Sequence, residues 1–507
     1  MSIKIRQFVY FRNKLGKIKQ KRIFMKVKET NSSESFSYFY ADNIKLMSTK
    51  LRADKNFDVI ERHLSICKRD ICFFYIDGFV KDGEMQRIMQ TFLSLKELGD
   101  AETLEKKLPY VEVEITESPE AAITAILSGQ AALFAETFEN RAILVDVRTY
   151  PARSTDEPDT DRVMQGAHDG FVETLVMNTA LIRRRIRDPR LTLEHFNMGG
   201  SSRTDVVMCY VEGVAKADEV AEIRKKLNSV TPRTLTLGFR SLAESLVRRG
   251  WFNPFPKIRV TERPDTAAAQ LLEGSIVVLC DTSPQAMLLP TSIFSYLEQA
   301  GDYYYPPLTG TYLRLVRAFI LLLSVVITPL WYLYLEYSHL LPPELLFLVP
   351  DNPGALPIML QLLLTEVAID GLKIASMNTP DMLSNSLSVV GALILGDFAV
   401  EIGWLCGDVI LYMAFVAIAN FAQQNHELGY AFKFCRVMTL IFVALLGIWG
   451  FVLGLGVSLL LIVTNTTVSQ KHRYLYPLIP FDKKAFLRLI VRMPKSDIDT
   501  NGKNSNK

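Results

Sequence analysis

The chain has 507 residues and a mass of 57.3 kDa, which suggests about two to four domains rather than one. Apolar residues make up 49% and the mean hydropathy is +0.16, which excludes a disordered chain and an ordinary soluble enzyme. The net charge of +3 hides a split, because residues 318–470 hold three basic and ten acidic residues while the rest holds 54 and 44. This partition predicts a membrane domain attached to a soluble one.

The cysteines and histidines, six of each, show no metal-ligand spacing. Without a C-x-x-C pair, the cysteines are interpreted as small buried residues of a protein in a reducing compartment. The run Met198–Ser202 is rich in Gly and Ser but lacks both nucleotide-binding frames, so we expect a turn there. With no nucleophile elbow or catalytic triad either, the sequence predicts no metal site, no cofactor and no enzymatic activity.

The first 28 residues contain ten Lys and Arg and no acidic residue. They lack the apolar region of a secretory signal. Such an arm could contribute roughly 1 kcal/mol per charge beside an anionic leaflet. A solvated disordered tail, or translation from Met25, would explain the same composition. We therefore expect residues 1–54 to be a basic, partly disordered arm and residues 1–24 to be dispensable.

From about Phe57 onward, β-rich runs alternate with helical patterns, which predicts α/β units. The predicted strands are Ile71–Ile76, Val111–Ile115, Ala142–Val147, Asp205–Val211, Lys257–Val260 and Ser275–Cys280. The predicted helices are Glu84–Leu98, Pro119–Leu127, Phe171–Arg187, Ala217–Leu227, Leu237–Arg248 and Asp265–Leu272. We expect two α/β subdomains, at 55–190 and 191–312, the first carrying the connecting helix.

One pattern occurs twice, 145 residues apart. Thr116–Glu120 leads through Gly129 into an apolar run, and Thr261–Asp265 leads through Gly274 into another. In both copies a proline opens a helix, an acidic residue follows it, and a glycine closes the helix before a strand. The repeat predicts that the two subdomains are built from related units, although chance recurrence stays an alternative.

The basic run Arg183-Arg184-Arg185, with Arg187 and Arg190, closes the helix that is predicted to begin near Phe171. Basic residues at a helix C-terminus complement its dipole, and we interpret this run as a solvated face. Nucleic-acid binding would need aromatic or motif support that the sequence lacks.

The membrane domain is predicted over residues 313–470, with about five to six segments. The candidate segments are Ala318–Leu335, Ala355–Ala375, Ser384–Trp404, Val409–His426 and Val437–Thr464. Glycines at Gly447, Gly450 and Gly454 would allow the last segment to form a hairpin or broken pair. A single long tilted helix is the alternative. A basic tail follows over residues 471–507.

The distribution of basic residues predicts the orientation of these segments. Arg314 and Arg317 precede the first one, and the loop that follows it has no Lys or Arg. The soluble region and the tail are therefore expected in the cytoplasm. Lys373 would mark a second cytoplasmic end, and Lys433 with Arg436 a third.

Two pairs of acidic residues lie within the apolar segments. Glu366 and Asp370 are four apart and share one helix face, with Lys373 in reach of Asp370. Asp397 and Glu401 repeat that spacing. Because an intramembrane carboxylate usually faces a cavity or an ion path, all four are candidates for an ion pathway. A position at the membrane interface, where acids cost little, is the alternative.

Several stretches between about residues 55 and 490 are shared with one protein family. They are Arg153-Ser154, Glu157-Pro158, Gly166, Gly170–Leu175, Asn178, Leu181–Ile186, Thr261–Asp265, Gly391–Leu393, Glu427–Ala431 and Tyr474–Leu478. In these stretches the chain resembles the A subunits of spore germination proteins, the GerA family. The basic amino-terminal arm is not part of that pattern.

Three further stretches, Asn56–Ile60, Phe74–Asp82 and Leu395–Glu401, resemble a sporulation branch of the family. Nutrient-receptor members more often carry Gln and Ala where this chain has Asp397 and Phe398, which argues against nutrient sensing. The resemblance implies a protein of the spore inner membrane whose family assembles into oligomeric cation channels. The partners that it implies are other membrane germination proteins, further copies of the chain and the lipid bilayer, with no nucleic acid.

The sequence and the resemblance together predict an ion-conducting or channel-amplifying subunit. Two other functions remain open. One is an ion-coupled transporter, which would use the same carboxylates as coupling sites. The other is a non-conducting scaffold of the dipicolinate release machinery, in which the acids are structural.

Overall fold

The computed structural model describes residues 35–491 apart from 109, 111, 150–165, 231–234, 248–251, 341, 379–390, 392–397, 424, 466 and 469–473. These residues form two compact units. The first is built from residues up to 152 and from 179–194. The second is built from 166–178 and from residue 195 onward.

Strands in the described part of the chain form two five-stranded sheets with one strand order. The first sheet contains β1 (Val59–Ile66), β2 (Arg69–Ile76), β3 (Val113–Thr116), β4 (Ala131–Ala135) and β5 (Ala142–Val145), in the order β1-β2-β4-β5-β3. The second contains β6 (Leu191–Met198), β7 (Thr204–Val211), β8 (Arg259–Thr261), β9 (Ile276–Cys280) and β10 (Ala286–Leu289), in the order β6-β7-β9-β10-β8. Pairing is antiparallel, as in β2 with β4 and β7 with β9. The prediction of α/β subdomains is confirmed.

Helices cover both faces of the first sheet. Eight α-helices lie among the described residues before the apolar region: α1 (Tyr40–Leu51), α2 (Asp82–Leu93), α3 (Ala101–Lys107), α4 (Pro119–Leu127), α5 (Leu175–Arg185), α6 (Ala217–Asn228), α7 (Phe239–Leu246) and α8 (Pro264–Leu272). Apolar residues of α1 and α4 pack on one face of the first sheet, and those of α2 and α3 pack on the other. In the second unit, α6 and α7 cover one face of the sheet.

The duplicated pattern has the same structure in both copies. Each proline opens a nine-residue helix, α4 or α8. The helices end before Gly129 and Gly274, and both glycines have a φ of +97°, a value that side chains rarely tolerate. A Cβ at Gly274 would lie 3.0 Å from the carbonyl oxygen of Val214. With the identical strand order of the two sheets, this agreement supports related units.

The structure corrects two expectations about the first unit. Arg183 does not lie on a solvated face, because its side chain is fully buried and its Nε and Nη2 donate to the Asp58 carboxylate at 2.8 and 3.0 Å. Residues 40–51 of the expected arm form helix α1, whose Met47 and Leu51 are buried in the core. The rest of the arm, up to residue 34, lies outside the described residues.

The apolar region contains long helices in the described part of the chain. They are α9 (Pro307–Glu336), α10 (Ile358–Met377), α11 (Gly407–Phe421), α12 (His426–Leu446) and α13 (Ile448–Thr464), and the shorter α14 (Lys483–Ile490) follows. Two of them, α9 and α12, are long and apolar enough to cross a membrane, while α11 and α13 are shorter apolar helices. The side chains of Trp331, Leu362, Val409 and Leu440 form a common core between α9, α10, α11 and α12.

The last apolar segment is a hairpin and not one long helix. The chain breaks at Gly447, with φ 57° and ψ −131°, between α12 and α13. The two helices then pack closely through small residues. A Cβ on Gly450 would lie 1.9 Å from the carbonyl oxygen of Phe442, and one on Gly454 would lie 2.7 Å from Thr439. The glycines therefore allow two helix backbones to approach each other, as in other small-residue helix contacts.

Lys433 and Arg436, which are expected to mark a cytoplasmic end, lie inside α12, where both side chains are buried. Arg317, which was expected to flank the first segment, is also largely buried within α9, where it forms an ion pair with Asp302 at 2.9 Å.

Candidate functional site

A cluster of four charged residues, of which three are buried and Asp370 is partly exposed, joins α10 and α12. Glu366 and Asp370 lie one turn apart on α10, and Lys433 and Arg436 lie nearly one turn apart on α12. Arg436 donates from Nη2 to Glu366 at 2.6 Å. Lys433 lies 3.4 Å from Glu366 and donates to Asp370. The two basic side chains balance the two acidic ones, so the cluster has no formal net charge.

Arg436 extends the cluster to a third helix. Its Nη1 donates to the backbone carbonyl oxygen of Ser324 on α9 at 3.2 Å. The residue is only 1% exposed. An arginine at this depth is costly unless it has a carboxylate and further acceptors, which Glu366 and Ser324 supply. The arrangement therefore fixes α9, α10 and α12 to one another.

Lys373 makes other contacts than the one that its spacing predicts. Its Nζ lies 3.5 Å from Nδ1 of His426 and 5.1 Å from the centre of the Tyr430 ring. The carboxylate of Asp370 instead accepts from Lys433 of the neighbouring helix. The polar atoms at this end of α10 therefore meet the first turns of α12.

The second acidic pair is described only in part. Asp397 lies outside the described residues. Glu401 ends a short helical turn, Ala399–Glu401, and it is exposed. It makes no ion pair with any residue that the structure describes. Its neighbours Val400, Ile402 and Trp404 are exposed apolar residues, with 39%, 67% and 64% of their surface accessible.

Gln361 holds the segment after Glu401 in place. This fully buried side chain donates from Nε2 to the carbonyl oxygens of Pro353 and Leu356, at 2.6 and 2.7 Å. Its Oε1 accepts from the backbone N–H of Cys406 at 2.8 Å. The start of α10 and the chain that follows Glu401 are thereby tied together.

The N-terminus of α12 faces the second sheet across a polar cavity. Arg240 of α7 donates to Glu427, and both side chains line a cavity of about 280 Å³. Tyr296 also lines it, and its buried hydroxyl has no hydrogen-bond partner among the described residues. Burial raises the pKa of Tyr296 well above 10, so the phenol stays protonated and able to donate.

Lys433 and Arg436 were not predicted to be partners of the first acidic pair. Both were interpreted only as markers of orientation. The sequence did contain a sign of this pairing. Lys433 and Arg436 lie three residues apart in one apolar stretch, and Glu366 and Asp370 lie four apart in another, so each pair can occupy one helix face. Gln361 and Arg240 carried no such pattern, since their contacts depend on the tertiary fold.

Comparison with known proteins identifies relatives over nearly the whole chain. The family model for the Bacillus/Clostridium GerA spore germination protein matches residues 46–503. Stage V sporulation protein AF of Bacillus subtilis is 36% identical over 460 residues, covering 90% of this chain and 92% of that protein. Spore germination protein KA of Bacillus subtilis is 26% identical, covering 89% of this chain and 84% of that protein.

Among solved structures, one crystal structure of a single domain is similar to about half of this chain. It is the N-terminal domain of the A subunit of the Bacillus megaterium spore germinant receptor GerK3, with 26% identity and a TM-score of 0.39. The match covers 51% of this chain and 98% of the solved domain. On the evidence of the family model and of the sporulation relative, the chain belongs to the Bacillus/Clostridium GerA family of spore germination proteins.

Proposed function

We propose that this member of the family is a multi-pass protein of the spore inner membrane and a subunit of an oligomeric cation channel that acts in germination. The region before α9 would be cytoplasmic, and the channel would form from several copies together with other membrane germination proteins. Its activity is passive ion conduction and not chemical catalysis.

The exposed carboxylate of Glu401 carries this proposal. It lies among the exposed apolar residues Val400, Ile402 and Trp404, without a basic partner in the described part of the chain. A lone charge at the centre of a bilayer costs about 2.5–3.5 kcal/mol on insertion scales. That cost is avoided where the carboxylate faces a water-filled path between subunits. A ring of such carboxylates is how many channels select cations.

Asp397 precedes Glu401 by four residues and would add a second carboxylate to the same path. The first acidic pair has a different role in this proposal. Glu366 and Asp370 are neutralised by Arg436 and Lys433, so they attract cations only weakly. They act as the fixed connection between α10 and α12.

That neutralisation also favours a second function, the non-conducting scaffold of the dipicolinate release machinery. If all four acids are structural, the apolar helices serve only for assembly. A coupled transporter is the third function, with Asp397 and Glu401 as coupling sites.

Ion flux through liposomes containing the purified protein separates the three functions. The measurement is the release of a trapped monovalent cation, with and without co-reconstituted membrane germination proteins. A channel gives passive flux that follows the gradient. A transporter gives flux that saturates and depends on a second ion, and a scaffold gives none in either condition, which would refute the proposal.

A further inference from the structure

Three metal-binding side chains of different types meet at the edge of the first sheet. Glu61 and His63 are two residues apart on β1 and therefore lie on one face of the strand. Cys72 is the residue of β2 that pairs directly with His63. One ligand atom from each of Glu61, His63 and Cys72 lies within 4.8 Å of those of the other two.

These donors suit one class of metal ion. Thiolate, imidazole and carboxylate together form the ligand set that zinc and neighbouring transition metals prefer. Magnesium and calcium select oxygen ligands alone and would not use Cys72. The Nε2 atom of His63 lies 2.9 Å from the Glu61 carboxylate, so the two side chains are already oriented toward each other. Cys72 is fully buried, while His63 is exposed and leaves a route for the ion from solvent.

Tyr40 supplies a separate observation at the same place. Its hydroxyl is buried and has no hydrogen-bond partner among the described residues. Tyr40 packs against the same buried cluster of side chains that contains Cys72. A water bound to a metal ion at this place would give the hydroxyl its missing partner.

We propose that Glu61, His63 and Cys72 bind one zinc-class divalent ion, with a water as the fourth ligand beside Tyr40. On binding, the Cys72 thiol releases its proton to solvent and a metal–sulfur bond forms, with no change in oxidation state. Glu61 and His63 exchange their mutual contact for the metal. The ion would join edge strand β1 to β2 underneath α1, which adds a crosslink at the exposed edge of the sheet.

The test uses the full-length protein in detergent, stripped of metal with a chelator and then titrated with Co²⁺. We expect one equivalent to bind, with the near-ultraviolet charge-transfer absorption of a cobalt–thiolate bond, and Zn²⁺ to displace it. Cys72→Ser should remove that absorption. His63→Ala should weaken cobalt binding at least tenfold. Loss of a residue that only orients a metal ligand already lowers metal affinity by about tenfold, and His63 would be a ligand itself.

Cys280→Ser is the matched control, because Cys280 is an equally buried strand cysteine in the second sheet. It should leave cobalt binding unchanged. His63 is exposed, so His63→Ala tests the site even if Cys72→Ser fails to fold. The proposal is wrong if the wild-type protein shows no thiolate absorption, or if His63→Ala binds as tightly as wild type. In those cases the Glu61–His63 contact is an ordinary surface hydrogen bond.

Discussion

Arg183 and Arg436 are among the most deeply buried side chains of the described chain, and each is matched by a carboxylate. Arg183 binds Asp58 through two nitrogens, and Arg436 binds Glu366. Such pairs add little net stability compared with an apolar pair of the same shape. Removing one partner is costly, because a buried charge then has nothing to offset its desolvation. These residues therefore specify which elements pack together.

Arg183→Met should destabilise the first unit by about 3–5 kcal/mol, because it leaves the Asp58 carboxylate buried and unpaired. Arg190→Met is the control, since Arg190 pairs with Asp188 in an exposed position, where the expected loss is at most about 1 kcal/mol. Denaturant unfolding of the full-length protein in detergent measures both. Equal effects of the two substitutions would contradict a structural role for the buried pair.

Glu366→Gln should lower the thermal stability of the helical region, because Arg436 then loses its carboxylate. Combining it with Arg436→Met should recover part of the loss. Glu401→Gln makes the same chemical change at an exposed position and should leave stability unchanged. Thermal unfolding of the four proteins, including wild type, measures this difference. If Glu366→Gln melts like wild type, the cluster does not hold α10 to α12.

For single charged residues, the sequence predicted only part of what the structure shows. The acids Glu366 and Asp370 were recognised as unusual, because they interrupt an apolar run. Their basic partners were not assigned, since the pairing depends on which helices are neighbours. Arg183 was expected on the surface because it lies in a run of three arginines, and a run does not show which member points inward.

At the scale of the elements, the hairpin of α12 and α13 depends on residues without side chains. Gly447 turns the chain, and Gly450 with Gly454 brings the helices into contact. This feature was predictable, because three glycines within eight residues of an apolar run allow a break. The choice between a hairpin and one long helix required the structure, which shows the close approach.

Gly450→Ala should separate the two helices, since the new Cβ would meet a backbone oxygen at 1.9 Å. Overpacking of this kind costs about 1–3 kcal/mol. Gly456→Ala is the control in the same helix, because a Cβ there meets no atom within 4 Å. Melting temperature and membrane yield measure the effect, with a loss expected for Gly450→Ala alone. A stable Gly450→Ala protein would show that α12 and α13 do not pack in this way.

Strands β1, β6 and β10 were not predicted from the sequence; β10 is a short, fully buried strand inside its sheet, whereas the other two lie at edges. Strands β1 and β6 are the first strands of their sheets and lie at the edges. Each carries charged or polar residues on exposed positions, among them Arg62 and His63 in β1. Such polar edges protect a sheet from pairing with other chains, but they also weaken the apolar alternation that identifies a strand. Helix α4 was predicted with its observed ends because proline and glycine mark both of them.

At the scale of the whole molecule, the distribution of charge predicts a cytoplasmic soluble region. Cys67 tests this without any substitution, because it is exposed and the other five cysteines are buried. A membrane-impermeant maleimide should label Cys67 only after the cells are permeabilised. Glu344→Cys, in the loop between α9 and α10, should be labelled from outside in intact cells. Labelling of Cys67 in intact cells would overturn the proposed orientation.

The family and the two-part architecture were predictable from the sequence, because the shared stretches and the charge partition extend over hundreds of residues. The proposed ion path was predictable only as a set of four acids. In the structure, Glu366 and Asp370 belong to a cluster without net charge, whereas Glu401 is exposed. The two acidic pairs have the same spacing in the sequence, so spacing does not distinguish them. The environments differ because Glu366 and Asp370 face two basic residues of α12.

The most direct test of this account is cation flux through liposomes containing wild type, Glu401→Gln or Glu344→Gln. Glu401→Gln keeps the shape of the side chain and removes its charge, so it should reduce cation flux while protein level and assembly stay normal. Glu344→Gln changes an exposed acid outside the proposed path and should conduct like wild type. If Glu401→Gln conducts like wild type, or if the wild-type protein conducts no cations, the account is contradicted.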